Sequence, residues 1–157
     1  MSPPTSTPLD PIDIAMLEAL QADGRMAISA LGRLVGLSQP ATSERLKRLE
    51  ERGVIAGYRA IINAESVGLG MTAIIRVRTT HDKIQSCLQL FADMPEVIEV
   101  NRLTGEDCFH LKVIVPTPGQ LERIVDGVAR FGSVITCLVL RSEPVKPISR
   151  KLLNSVG

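Results

Sequence analysis

Aromatic residues are scarce in this 157-residue chain: there is no tryptophan, one tyrosine and three phenylalanines, 3% in all. Any core it builds must be aliphatic, made from leucine, isoleucine, valine and alanine. Cysteine is sparse too. Cys87, Cys108 and Cys137 are odd in number and form no CxxC pair. That excludes a disulfide framework and argues against structural zinc, and it fits a reducing, cytoplasmic setting. The three read as small core hydrophobes. The two histidines, His81 and His110, each lie near a cysteine in sequence but are too few to make a metal site. Neither sign of charge dominates: 18 basic against 17 acidic residues give +1, so a basic footprint for nucleic acid has to be local. No apolar run reaches membrane-spanning length. The opening MSPPTSTPLD has neither a basic stretch nor an apolar one, so it is no signal peptide, and residues 1–8 are expected to be a disordered leader. No nucleophile–base constellation and no glycine-rich phosphate loop is found, so neither catalysis nor a cofactor is expected.

What is present is ordinary for a globular chain, with 45% apolar and 22% charged residues. The first third reads as helical. Asp10 is a good N-cap, Pro11 suits the first helical position, and Asp13 falls in the first turn, where negative charge is favoured. Leu9 and Ile14 have staple spacing. Ile12, Met16, Leu17 and Leu20 form one apolar stripe, and Asp23-Gly24 ends the helix. A second helix is expected from Ser29 as N-cap, with Leu31, Leu34 and Val35 inward and Gly36 as a left-handed C-cap. Ser38 then caps a third helix whose inner face is Thr42, Leu46 and Leu49 and which Gly53 closes.

Beyond Gly53 the period changes. Residues 54–55 and 58–62 read as two short strands around Gly57, and 63–70 as a connector. The remainder alternates. Strands are expected over 71–79, 97–103, 109–115 and 134–141, and helices over 81–92 and 118–130. That order, βαββαβ, is the pattern of a ferredoxin-like sandwich. The fold class expected is α+β, an N-terminal winged helix-turn-helix domain over 9–63, a connector over 64–70, and the βαββαβ domain over 71–145. A polar tail, 146–157, is left without assigned structure.

Two short helices joined through Gly36-Leu37-Ser38 have the spacing of a helix-turn-helix, in which the tight turn lets the second helix protrude. At 100° per residue the outer face of that helix carries Pro40, Glu44, Lys47, Arg48 and Glu51, with Ala41 and Ser43 beside it. Arg45 lies near the inner seam, within reach of a phosphate. On pattern alone the face is either a groove-reading surface or a solvated face of a structural three-helix unit. In the first reading Ser38, Gln39 and Ser43 reach bases or phosphates, and Lys47 and Arg48 contact phosphates. Likewise, the turn Thr104-Gly105-Glu106-Asp107 is either a solvated acidic turn or a ligand site. In a ligand site, a carboxylate of Glu106 or Asp107 accepts from an ammonium group and N–H groups around Gly105 hold a carboxylate.

The stretches LDPIDIAMLEALQADGR, LGRLVGLSQPATSERLKRLEERGVIAGYRAIIN and TGEDCFHL, in this order and spacing, resemble the Lrp/AsnC (feast/famine) transcription regulators over about residues 9–145. The resemblance implies a regulator that binds double-stranded DNA through Ser38, Gln39, Pro40, Ser43, Glu44, Arg45, Lys47 and Arg48. It further implies assembly through the second domain into dimers, in many members octamers, and response to an amino acid. Effectors in that family bind around the middle loop at a subunit interface, which here takes in Thr104, Gly105, Glu106, Asp107 and Cys108, with Thr136 on the last strand added. Two departures stand out. The family often has G-D-x-D where this chain has Gly105, Glu106, Asp107 and Cys108, and Thr42 stands where many members have an aliphatic residue. The alternative is a small-molecule-binding or assembly module whose N-terminal helices contact protein.

Overall fold

An aspartate cap opens the structure. In the computed structural model, which describes residues 8–156, Asp10 accepts from the Asp13 N–H at 2.8 Å and the Asp13 carboxylate accepts from the Asp10 N–H at 3.3 Å. This reciprocal box, with Pro11 at the first position, starts α1 (Pro11–Ala22), and Asp23 ends it. The second helix, α2 (Ile28–Val35), begins earlier than expected: Ala27 is its N-cap, no side chain caps it, and Ser29 lies inside the helix. Burial of Leu31 in the three-helix core outweighs the missing cap. Gly36 ends α2 at φ +72°. Ser38 then caps α3 (Gln39–Glu51), accepting from the Ala41 N–H at 3.4 Å.

Thr42 and Leu49 are fully buried on the inner face of α3, with Leu46 half-buried beside them. The polar departure at Thr42 is satisfied locally, since its hydroxyl donates to the Ser38 carbonyl at 2.8 Å. Gly53 follows at φ +70°, and the Val54 N–H returns to the Leu49 carbonyl at 2.9 Å, closing α3.

The two short strands expected over 54–62 do not form. Residues 56–63 run as unpaired chain, with Ile61 and Ile62 exposed. A two-stranded ribbon with no packed face is marginal on its own.

The described chain divides into two compact units, residues 8–61 with 144–156, and residues 62–143. The tail therefore belongs with the N-terminal helices. Gln21 holds residue 148 like a strand partner, its amide donating to the Ile148 carbonyl at 3.0 Å and accepting from the Ile148 N–H at 2.8 Å. Arg150, opening the short α6 (Arg150–Leu153), donates twice to Glu18 at 2.6 and 3.0 Å.

The second unit is a four-stranded antiparallel sheet in the order β2-β3-β1-β4: β1 (Met71–Thr79), β2 (Val97–Arg102), β3 (Phe109–Val115) and β4 (Gly132–Leu138). A single 3₁₀ turn leads into α4 (Ile84–Asp93), and α5 (Pro118–Ala129) follows β3. This is the βαββαβ order. Alternation decides the two faces. Ala73, Ile75 and Val77 of β1 pair with Val113, Leu111 and Phe109 of β3 and are buried with Cys87, Phe91, Leu121, Ile124 and Val128 of the helices. The other face carries Thr72, Ile74, Arg76, His110, Lys112, Ile135 and Cys137, and neither helix packs on it. Of the three cysteines only Cys87 is fully buried, while Cys108 is half-buried and Cys137 exposed.

Candidate DNA-reading face and effector loop

The N-terminus of α3 projects Ser38, Gln39 and Pro40 into solvent, and one turn on Ser43, Glu44, Lys47 and Arg48 are exposed. Pro40, Glu44, Lys47 and Arg48 share the side of α3 opposite the buried Thr42 and Leu49, as the 3.6-residue period requires, while Ser43 flanks that side and Ser38 and Gln39 stand at the helix start. Lys47 sits 3.5 Å from Glu51 in an exposed i,i+4 pair, an interaction weak enough to be given up to a phosphate.

Arg45 is placed differently. Its Nη1 donates to Asp10 at 2.5 Å and to Asp13 at 2.8 Å, so the guanidinium spans from the middle of α3 to the cap of α1. The Asp13 N–H, and with it Arg45, holds the Asp10 carboxyl below its usual range. In turn the two carboxylates, Asp10 first, push the Arg45 guanidinium up. Arg45 thus faces the protein rather than solvent. A cleft of about 300 Å³ lies beside it, lined by Asp10, Asp13, Arg45, Arg48 and Arg52. Sequence reasoning placed Arg45 near the seam but did not identify its partners. The clue in the sequence is the aspartate pair at the start of α1, whose capping role does not by itself point to Arg45.

The loop between β2 and β3 is tied down at both ends. The Leu103 N–H donates to the Cys108 carbonyl at 3.0 Å, and the Cys108 N–H to the Val77 carbonyl at 2.7 Å. Arg102 donates to the same Cys108 carbonyl at 2.7 Å and stacks over Phe109 at 4.8 Å. The Cys108 thiol donates to the Thr79 carbonyl at 3.2 Å and its sulfur accepts from the Thr79 N–H at 3.5 Å. That N–H, together with Arg102, holds the thiol below its usual range. Thr104, Gly105 and Glu106 are exposed at the tip, with Gly105 at φ +111°.

The two acidic residues differ. Asp107 accepts from Arg76 Nε at 2.6 Å, whereas Glu106 reaches only to 4.0 Å from Arg78. Both arginines come from β1, two residues apart on the face without helices, and neither was singled out from sequence. Register separates Thr136 from the loop. It pairs with Ile75 on β4, so its side chain belongs to the helix-covered side, and β1 lies between it and the strand that the loop enters.

Among the described residues no group of three or more His, Cys, Asp and Glu side chains is placed to hold a metal, and no helix is long and apolar enough to cross a membrane.

Known proteins resemble this chain over almost its whole length. The AsnC-type helix-turn-helix domain model matches residues 9–50, and the Lrp/AsnC ligand binding domain model matches residues 72–146. The HTH-type transcriptional regulator YezC of Bacillus subtilis is 35% identical over 142 residues, covering 88% of this chain and 99% of the relative. The leucine-responsive regulatory protein of Rhizobium meliloti is 37% identical over 120 residues, covering 74% of this chain and 77% of that protein. The structure of transcriptional regulator NMB0573 of Neisseria meningitidis, in complex with L-Met, superposes with a TM-score of 0.84 at 29% identity, covering 92% of this chain and 100% of that one.

Proposed function

Because this chain belongs to the Lrp/AsnC family of DNA-binding, effector-modulated transcription regulators, we propose that α3 reads double-stranded DNA and that the loop Thr104–Cys108 takes a free amino acid. The observation carrying the first half is the exposed edge of α3. Ser38, Gln39, Pro40, Ser43 and Glu44 stand at its N-terminal end, where the helix dipole favours a phosphate, and Lys47 and Arg48 follow one turn later. Arg45 acts behind this face as a positioning residue, fixing α3 against α1.

For the second half, the loop offers a carboxylate, Glu106 or Asp107, at a permissive glycine beside two arginines. Cys108 anchors its far end. The related structure that holds L-Met and the leucine-responsive relative support an amino acid as the effector class. Thr136 contributes only if a second copy brings it to the loop. A second copy also suits the bare sheet face, where Ile74, Ile114 and Ile135 have no helix over them. The protein on this reading is at least a dimer and presents paired recognition helices to half-sites about one helical turn, or a multiple, apart.

The test is a salt series of DNA affinity. Lys47→Ala weakens binding about equally on operator and random DNA and lowers the slope of log K against log salt by about one. An unchanged slope removes Lys47 from the phosphate contacts. Light scattering of the full chain at about 100 μM gives a dimer or larger, since isologous pairing has to cover that face; a monomer contradicts the paired half-sites.

A further inference from the structure

The Arg76–Asp107 pair carries the two charges complementary to those of a free amino acid. A free amino acid carries a carboxylate and an ammonium a few ångströms apart. Arg76 and Asp107 carry the complementary charges, and they satisfy each other at 2.6 Å. Only the Nε–H of Arg76 is used in that bond, and among the described residues its other N–H groups have no partner. Arg76 is 45% exposed and Asp107 21%, so the pair opens at less cost than one with both partners buried. Directly beside Arg76, in register on the same face, stand His110 on β3 and Ile135 on β4, the latter half-exposed with an apolar side chain free to meet another.

We propose that Arg76 is the carboxylate contact of the effector site, and that Asp107 occupies it until an amino acid exchanges in. The ligand's α-carboxylate takes the guanidinium in two parallel N–H···O bonds, a geometry arginine favours. Asp107, released, accepts from the α-ammonium. Both charges of the ligand are then matched by groups that had been matched to each other, so no charge is left unpaired at either end of the exchange. Glu106, far out at the loop tip, takes no part in this recognition. The inference rests on the amino-acid reading of the loop and adds to it a residue from a different strand, 31 positions away.

Ligands with one charge removed separate the roles. The full-length protein is titrated calorimetrically with the twenty L-amino acids. The tightest binder is then compared with its α-amide, which lacks the carboxylate charge, and with its deamino acid, which lacks the ammonium. Wild type is expected to bind the amide and the deamino acid about tenfold to a hundredfold more weakly than the amino acid. Arg76→Gln loses the preference for amino acid over amide but keeps the preference over the deamino acid. Asp107→Asn does the reverse. Arg76→Lys, keeping the charge, retains part of the first preference, and Glu106→Gln changes neither. An Arg76→Gln variant that discriminates between acid and amide as well as wild type overturns the assignment while leaving amino-acid binding standing. If no amino acid binds the wild type, the amino-acid reading falls and this assignment with it.

Discussion

Two arginine–aspartate pairs of nearly equal length sit in different surroundings. Arg45 and Asp13 meet at 2.8 Å with side-chain exposures of 21% and 8%, while Arg76 and Asp107 meet at 2.6 Å with 45% and 21%. Distance alone does not distinguish them; burial does. The first pair joins two helices of the DNA-reading unit and has Asp10 as a further acceptor. Opening it strands a carboxylate away from water, which is costly. The second lies on a bare sheet face, where water reaches Arg76 and, in part, Asp107, so that opening it costs less. The same chemistry therefore makes a fixed brace in one unit and an exchangeable contact in the other.

The largest expected effect breaks the brace. Arg45→Ala leaves Asp13 buried without its cation and is expected to cost the N-terminal unit about 2–3 kcal/mol in urea unfolding, below the range for a fully buried pair because Arg45 keeps some exposure. A loss under about 0.5 kcal/mol would make this pair no different from a surface one. Next comes Gly32→Ala, in the same unit. A Cβ there lies 2.8 Å from the Leu37 carbonyl oxygen and 2.8 Å from Thr42 Oγ1, so α2 and the turn must separate. About 1–3 kcal/mol is expected, as for other overpacked sites, and DNA affinity falls with it because the angle of α3 is set there.

How much of this was legible in sequence depended on how local the cause is. The cap of α1 could be read because Asp10, Pro11 and Asp13 act on one another within a single turn. The N-cap of α2 is Ala27 rather than Ser29, the better capping residue, because the burial of Leu31 that decides the matter is tertiary. The strand pairs on either side of Gly57 had the right residue types, but nothing covers Ile61 and Ile62, and propensity does not reveal an absent partner. The last strand runs 132–138 rather than 134–141 because it lasts as long as β1 pairs with it, from Thr79↔Gly132 to Ala73↔Leu138. The candidate loop could be placed by its glycine and acids, but its two arginines could not be, since only the β1–β3 register brings position 76 to position 107. Nor could the tail be: Gln21 to Ile148 and Glu18 to Arg150 are polar contacts more than a hundred residues apart, with no periodicity to betray them.

Smaller effects sharpen the contrast. Arg76→Gln should change the stability of the second unit by less than about 1 kcal/mol, the range of exposed pairs. A loss matching that of Arg45→Ala would show that both pairs are braces. The pH dependence tests the brace further. Asp10 titrates below the ordinary carboxylate range in the folded protein, so it binds protons more readily when unfolded. Its contribution is present above about pH 4 and disappears as the pH falls through the folded value. The melting temperature of the N-terminal unit should drop over that acid range in wild type and drop less in Asp10→Asn.

The most direct measurement is fluorescence anisotropy of the full-length protein on a duplex selected by it from random-sequence DNA, with and without each of the twenty amino acids, for wild type and Asp107→Asn. The account predicts that at least one amino acid shifts the DNA affinity of the wild type and has little effect on Asp107→Asn, while the two proteins bind DNA equally well without ligand. An amino acid that shifts both proteins by the same factor would place the sensing site elsewhere. Unequal affinities without ligand would contradict the separation of a fixed reading unit from an exchangeable sensing pair.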